Sequence, residues 1–140
     1  MIILDTNIIS ELMRPVPDRL IGTWLSRLGD IPLATTTITI SEIVYGLERL
    51  PAGRRKQALL QNFQSLIDPE DGLAIHALDS EAAYLCGRYR AERENRGEHA
   101  HPSDMMIAGI AGVHGASLAT RNTKDFSGLP IRIINPFEIE

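Results

Sequence analysis

Two rhythms of hydrophobic and polar positions run along this chain. Ile2-Ile3-Leu4 is a short, wholly apolar run that stops at Asp5, and it reads as a buried strand. Asn7 or Thr6 is placed to cap a helix from about Ile8 to the residue before Pro15. Leu20, Ile21, Trp24 and Leu28 recur at helical spacing, which predicts a second helix from about Pro17 to Leu28, with Gly29 as its stop. Residues 32–37 read as a second strand. From Thr39 to Leu50 the apolar positions Ile40, Ile43, Val44 and Leu47 share one helical face. Helical propensity resumes from Arg54 to Ile67, after the turn Pro51-Ala52-Gly53. Leu73 to Ala77 reads as a short strand. Ser80 is expected to cap a helix to about Asn95, with Gly97 as its C-terminal signal. After the loop 97–102, Ser103 is expected to cap an apolar helix from Asp104 to about His114. Its Ala108, Gly109, Ala111 and Gly112 leave room for another element, which places this helix centrally. Residues 116–120 and 131–134 complete the strands. Strands separated by helices predict an α/β fold with a mostly parallel sheet, as one domain over residues 1–140 without a linker.

Composition narrows the class. A chain of 140 residues buries about two-thirds of its unfolded surface and needs no disulfide to hold a core. Its single cysteine, Cys86, excludes an internal bridge and a thiolate zinc site, and points to a reducing cytoplasm. In its apolar helical context Cys86 reads as a small core residue. No apolar run approaches the roughly 20 residues of a membrane helix. The opening run is too short, and too lacking in positive charge, for a signal peptide. Lys plus Arg is 14 and Asp plus Glu is 18, a formal charge of -4. A generally basic nucleic-acid coat is therefore excluded.

The acids draw attention by position. Asp5 ends a buried strand, and open α/β sheets collect ligands at the carboxyl ends of their strands. It is also placed to cap the following helix. Glu42 completes a capping-box pattern with Thr39. It lies nearly opposite the apolar stripe of its helix, free to face a cleft. Asp104 suits the first turn of a helix through the macrodipole. No other charge follows it before His114, so it sits at the tip of a buried helix. Asn122 and Asp125 follow a strand directly, as turn formers or as groups at the same sheet edge. Each acid has a structural explanation. Their joint placement at strand ends and helix starts raises the case for an oxygen-ligand site for Mg²⁺ or Mn²⁺, able to activate water against a phosphodiester.

Twelve of the 14 basic residues are Arg, whose fork suits phosphate. Arg121 and Lys124 flank Asn122 and are the better candidates for a phosphate backbone. Arg54 to Lys56 is a weaker one. Arg88, Arg90, Arg93 and Arg96 share a helix with Glu92 and Glu94 and read as a solvated, salt-bridged face. His99 and His101 read as a solvated loop pair rather than metal ligands. No Gly-rich phosphate loop and no nucleophile motif near a histidine occurs.

Asp5-Thr-Asn7, Ser41-Glu42, Ser103-Asp104 with its Ile107-Ala108 helix, and Leu118-Ala-Thr120-Arg-Asn122-Thr-Lys-Asp125-Phe126 together resemble PIN-domain ribonucleases. Order and spacing are similar to the VapC-type toxins of bacterial toxin–antitoxin pairs, in particular the FitB-like subgroup, over nearly the whole chain. The resemblance implies a three-layer α/β sandwich around a parallel sheet, dependence on Mg²⁺ or Mn²⁺, cleavage of RNA, a homodimer, and a small antitoxin whose tail blocks the site. It matches Asp5, Glu42 and Asp104 to the family's three core acids. The fourth ligand is Asn122, Asp125 or both, and Thr120 matches a polar position that orients water or phosphate.

Two other readings compete. An aspartyl phosphohydrolase places a second Asp two residues after the first, where this chain has Asn7, which cannot donate and recover a proton. A non-catalytic dimeric partner of an antitoxin or DNA-binding complex would use the same acids as helix caps. On the nuclease reading, Asp5, Glu42, Asp104 and Asp125 account for the whole formal excess of negative charge, which one or two divalent ions would offset.

Overall fold

The three residues of β1 (Ile2–Leu4) point alternately into two different cores. Ile3 packs into one, and Ile2 and Leu4 into the other. A strand covered on both faces has no use for polar positions, which is why this one is uninterruptedly apolar. In the computed structural model, which describes residues 1–138, the chain continues through α1 (Thr6–Met13), α2 (Arg19–Arg27), β2 (Leu33–Thr36), α3 (Thr37–Glu48), α4 (Arg54–Leu66), β3 (Ala74–His76), α5 (Ser80–Asn95), α6 (Pro102–Val113), β4 (Ser117–Ala119), a 3₁₀ turn (Thr123–Phe126) and β5 (Ile133–Ile134).

The strands form one sheet of order β3-β2-β1-β4-β5, every neighbouring pair parallel. The chain first travels from β1 outward through β2 to β3. It then returns to the other side of β1 for β4 and β5. Right-handed crossovers in opposite directions put their helices on opposite faces. Accordingly α1 to α4 cover the face of Ile2 and Leu4, while α5 and α6 cover the face of Ile3. The result is the three-layer α/β arrangement. The direction reverses between β1 and β4, and a crevice opens outside their carboxyl ends. Asp5 and Thr120 stand at those ends. Among the described residues, no helix is long and apolar enough to cross a membrane.

Helix starts differ from the sequence expectation, each for a local reason. Asp5 itself, not Thr6 or Asn7, caps α1, its Oδ1 accepting from the Ile8 amide at 3.3 Å. The second helix begins at Arg19 under the Asp18 cap. Helix α3 starts two residues early because the Thr36 hydroxyl accepts from the Thr39 amide at 3.1 Å. Thr39 is thus inside the helix, the capping box does not form, and Glu42 is released from that duty. Asp79, not Ser80, caps α5, and α6 opens at Pro102 rather than at a Ser103 cap.

Helices α5 and α6 pack in direct contact, because a Cβ on Gly109 would run into the Ala82 carbonyl and the Cys86 amide, and one on Gly112 into the Tyr89 hydroxyl. Cys86 lies half-buried at this seam. Gly109→Ala is expected to lower stability by ~1–3 kcal/mol, despite alanine's higher helix propensity. Gly87→Ala, with open space around it, is expected to hold or raise stability. Thermal unfolding followed by circular dichroism compares the two. Equal melting temperatures for both variants would contradict the close backbone approach.

Candidate active site

Asp5 is placed by both strands of the reversal. Its amide donates to the Ala119 carbonyl at 3.1 Å, tying the end of β1 to the end of β4. Its carboxylate turns into the first turn of α1 and also accepts from Asn7 Nδ2 at 3.2 Å. The residue is almost wholly buried. Burial pushes its carboxyl from 3.8 up to about 7, the nearby Asp104 adds to the rise, and the Thr120 hydroxyl with the Ile8 and Asn7 amides draws it back.

Asn7 knits this corner. Besides Asp5, its Nδ2 donates to Thr120 Oγ1 at 3.4 Å, and its Oδ1 accepts from the Arg121 amide at 3.0 Å. Thr120 Oγ1 also accepts from the Asn122 amide at 3.0 Å. Thr120 is fully buried. Its hydroxyl lies beneath the site, against Asp5, Asn7 and the backbone of Asn122.

Glu42 comes from the first half of α3 and is met by α1. Thr6 Oγ1 donates to Glu42 Oε1 at 2.6 Å. Thr6 Oγ1 also lies 3.2 Å from Thr39 Oγ1, and the Thr36 hydroxyl donates to Thr39 at 3.4 Å. With the Thr6 proton committed to Glu42, the remaining hydrogens run Thr36 to Thr39 to Thr6. Three buried or half-buried hydroxyls thus point their dipoles at one carboxylate.

Asp104 stands in the first turn of α6, half-buried. Its carboxyl is raised, first by burial, then by the charges of Asp125 and Glu42, and it is lowered by His101 and His99. Both histidines are exposed on the loop before α6, as the sequence reading expects, and lie near enough to act on Asp104. An open pocket of about 400 Å³ is lined by Asp5, Thr6, Asn7, Ser10, Glu42, Asp104, Ile107, Arg121 and Asn122. Asp125 is not in its wall and acts on Asp104 from the 3₁₀ turn behind. Lys124 is not in the wall either. Among the described residues, no group of three or more His, Cys, Asp or Glu side chains is placed to hold a metal ion by itself.

Two arginines, Arg121 in the wall of this pocket and Arg14 in that of a neighbouring groove, are held by Glu11, a residue the sequence did not single out. Its buried carboxylate pairs with Arg14 at 2.9 Å and with Arg121 at 3.6 Å, and accepts from the Asp18 amide at 3.0 Å. The Arg121 guanidinium lies 3.7 Å over the Phe137 ring. Both arginines remain largely exposed. Arg55 lines the neighbouring groove between α1, α3 and α4, which shares Thr6, Ser10 and Glu42 with the acidic pocket. Thr6 and Asn7 were read from sequence only as helix caps. Their role follows from the tight turn after β1, which sets three consecutive side chains around one corner.

A PIN domain model matches residues 2–130. The chain is 33% identical over 138 residues, 99% of each chain, to a protein of Sinorhizobium fredii named VapC ribonuclease Y4jK. It is 31% identical over 137 residues to a protein of Neisseria gonorrhoeae named toxin FitB, covering 98% of this chain and 99% of that one. A solved structure of FitAB bound to a DNA fragment superposes with a TM-score of 0.88 at 31% identity, covering 100% of this chain and 98% of that one. A family match over most of the length, carried on the five-stranded sheet whose reversal point gathers Asp5, Glu42 and Asp104, leads to one conclusion: this chain belongs to the PIN-domain family.

Proposed function

We propose that this chain is a divalent-metal-dependent endoribonuclease and the toxin of a VapBC-type toxin–antitoxin pair, working in the cytoplasm as a homodimer and held inactive by a small antitoxin protein. The observation that carries the reading is the pocket where Asp5, Glu42 and Asp104 meet from three distant parts of the chain. Similarity to a named ribonuclease, a named toxin and a FitAB complex supports the activity and the partner.

The donor set fits a hard cation. Asp5 and Asp104 are buried enough to be pushed toward protonation, Asp5 further by Asp104 and Asp104 further by Asp125 and Glu42, with His101 and His99 drawing Asp104 only part of the way back. Carboxylate oxygens of that kind suit Mg²⁺ or Mn²⁺. Asp5 and Asp104 would hold the ion, with Glu42 and Asn122 completing its surroundings and Asp125 adding negative potential behind Asp104. When bound, the ion supplies Lewis-acid stabilisation of the phosphodiester and lowers the pKa of water beside it.

The chain's own residues prepare this. Asn7 and Thr120 fix the orientation of Asp5. Thr6 fixes Glu42. Arg121 in the wall of the acidic pocket, with Arg14 and Arg55 along the adjoining groove, offers exposed guanidinium groups, which suit the flanking phosphates of an RNA strand. Lys124, outside the wall, is left the lesser part of that contact.

Asp104→Asn is expected to lower RNA cleavage at least about a hundredfold, since losing even an outer partner of a metal ligand typically costs 10–100-fold. The variant should keep its circular dichroism spectrum. Undiminished cleavage by a folded Asp104→Asn protein would sink the nuclease reading.

A second expectation concerns pH. A carboxyl whose folded pKa is raised binds more protons folded than unfolded between the two values. Stability is then lost as pH rises from about 3.8 to about 7, and the slope vanishes above. For Asp5 alone the loss is on the order of 4 kcal/mol. Metal-free protein is expected to melt at a lower temperature at pH 8 than at pH 5, Asp5→Asn to remove most of that difference, and Mn²⁺ to raise the melting temperature more at pH 8. A wild-type and Asp5→Asn pair with the same pH dependence would contradict the burial of an uncompensated carboxyl.

A further inference from the structure

Arg93 was expected on a solvated helix face, yet its side chain is only 4% exposed. The cause lies in how α5 ends. Gly97 takes a positive φ of 78°, its amide donates to the Glu94 carbonyl at 2.9 Å, and the Glu98 amide donates back to the Arg93 carbonyl at 2.9 Å. This Schellman turn folds the following loop over the last turn of the helix. It brings the His99 carbonyl onto Arg93 Nε at 2.8 Å and Glu98 Oε2 to within 2.9 Å of Nη1. On its other side the same guanidinium meets the 3₁₀ segment: Nη1 donates to the Ser127 carbonyl at 2.6 Å and its hydroxyl at 3.3 Å, and Nη2 reaches the Lys124 carbonyl at 3.4 Å.

The two segments so joined each carry one acid of the site. His99 belongs to the loop that leads into α6 and Asp104. Lys124 and Ser127 bracket Asp125. These two carboxylates repel each other, so the turn bearing Asp125 has an electrostatic reason to drift from Asp104, and a backbone anchor is needed to oppose it. The guanidinium is a planar fork with five donors in fixed directions, and here three carbonyls from two segments use them. A lysine has one nitrogen and cannot reach all three.

We propose that Arg93 is a positioning residue of the site: it fixes the backbone on which Asp104 and Asp125 are carried, and so sets the affinity of the acidic pocket for a divalent cation. The role rests on the metal-dependent reading given above. It is not a catalytic residue, because its side chain lies beneath the loops and outside the pocket wall.

The test uses the full chain and Mn²⁺ alone as the probe. Free Mn²⁺ is followed by electron paramagnetic resonance on titration of wild type, Arg93→Met, Arg93→Lys and, as a control, Arg90→Met, whose arginine is exposed and pairs only loosely with Glu94. RNA cleavage is measured against Mn²⁺ concentration in parallel. Arg93→Met is expected to bind Mn²⁺ about tenfold more weakly and to need correspondingly more Mn²⁺ for half-maximal cleavage, as for outer partners of metal ligands. Its rate at saturating Mn²⁺ should stay within about threefold of wild type. Arg93→Lys should fall between, and Arg90→Met should match wild type. A folded Arg93→Met with wild-type Mn²⁺ affinity overturns the proposal, whatever its melting temperature. If Arg93→Met does not fold, wild-type affinity in Arg93→Lys overturns it equally. Failure of the wild type itself to bind Mn²⁺ in a manner lost in Asp104→Asn would overturn the metal site as well, and so is told apart from failure of the Arg93 role alone.

Discussion

Like charge held in a poorly solvated place is the constraint on which the rest of this molecule turns. Asp5 is buried at the end of the central strand, Asp104 is half-buried at the tip of the central helix, and the proton affinity of Asp5 is raised by Asp104, that of Asp104 by Asp125 and Glu42. Burying unpaired carboxylates is expensive. The fold tolerates it because the two groups arrive on rigid elements. β1 is fixed between β2 and β4, and α6 is locked on α5 by glycines that admit direct backbone contact. The parallel topology makes the meeting possible, since the order β3-β2-β1-β4-β5 leaves a reversal beside β1 and opens the crevice there.

Around that charge the polar residues are arranged in tiers. Thr36, Thr39 and Thr6 aim a line of hydroxyls at Glu42. Asn7 and Thr120 grip Asp5 and the backbone that follows β4. Glu11 holds Arg14 and Arg121 at the rim without neutralising the pocket itself. The negative net charge of the chain is therefore compatible with the proposed polyanionic substrate: on that reading the acids would hold a cation and exposed arginines would meet phosphate at the edge.

Much of this was legible in the residues. The continuous apolar run Ile2–Leu4, the helical stripe through Ile43 and Leu47, and the small residues of α6 each state their burial through period or volume, and the elements they predict are present. Asp5 and Asp104 were legible as candidates because one ends a strand and the other begins a helix, and Glu42 because it lies opposite the apolar stripe of its helix. What escaped were relations set by tertiary approach. Whether Thr36 or Thr39 caps α3 depends on where β2 ends, which no local pattern states. Arg93 has the same neighbours in sequence as the solvated arginines of α5, and only the Schellman turn at Gly97 folds a loop over it. Thr120 reads as a polar strand end, yet the turn through Asn122 closes over its hydroxyl.

The central claim is that the pocket stores proton affinity which a divalent cation displaces. Titration calorimetry of Mn²⁺ binding at pH 6, repeated in buffers of different ionisation enthalpy, counts the protons released. Release of about one proton is expected at pH 6, little at pH 8.5, and loss of the pH 6 release in Asp5→Asn. Mn²⁺ binding without proton release at pH 6 would contradict it.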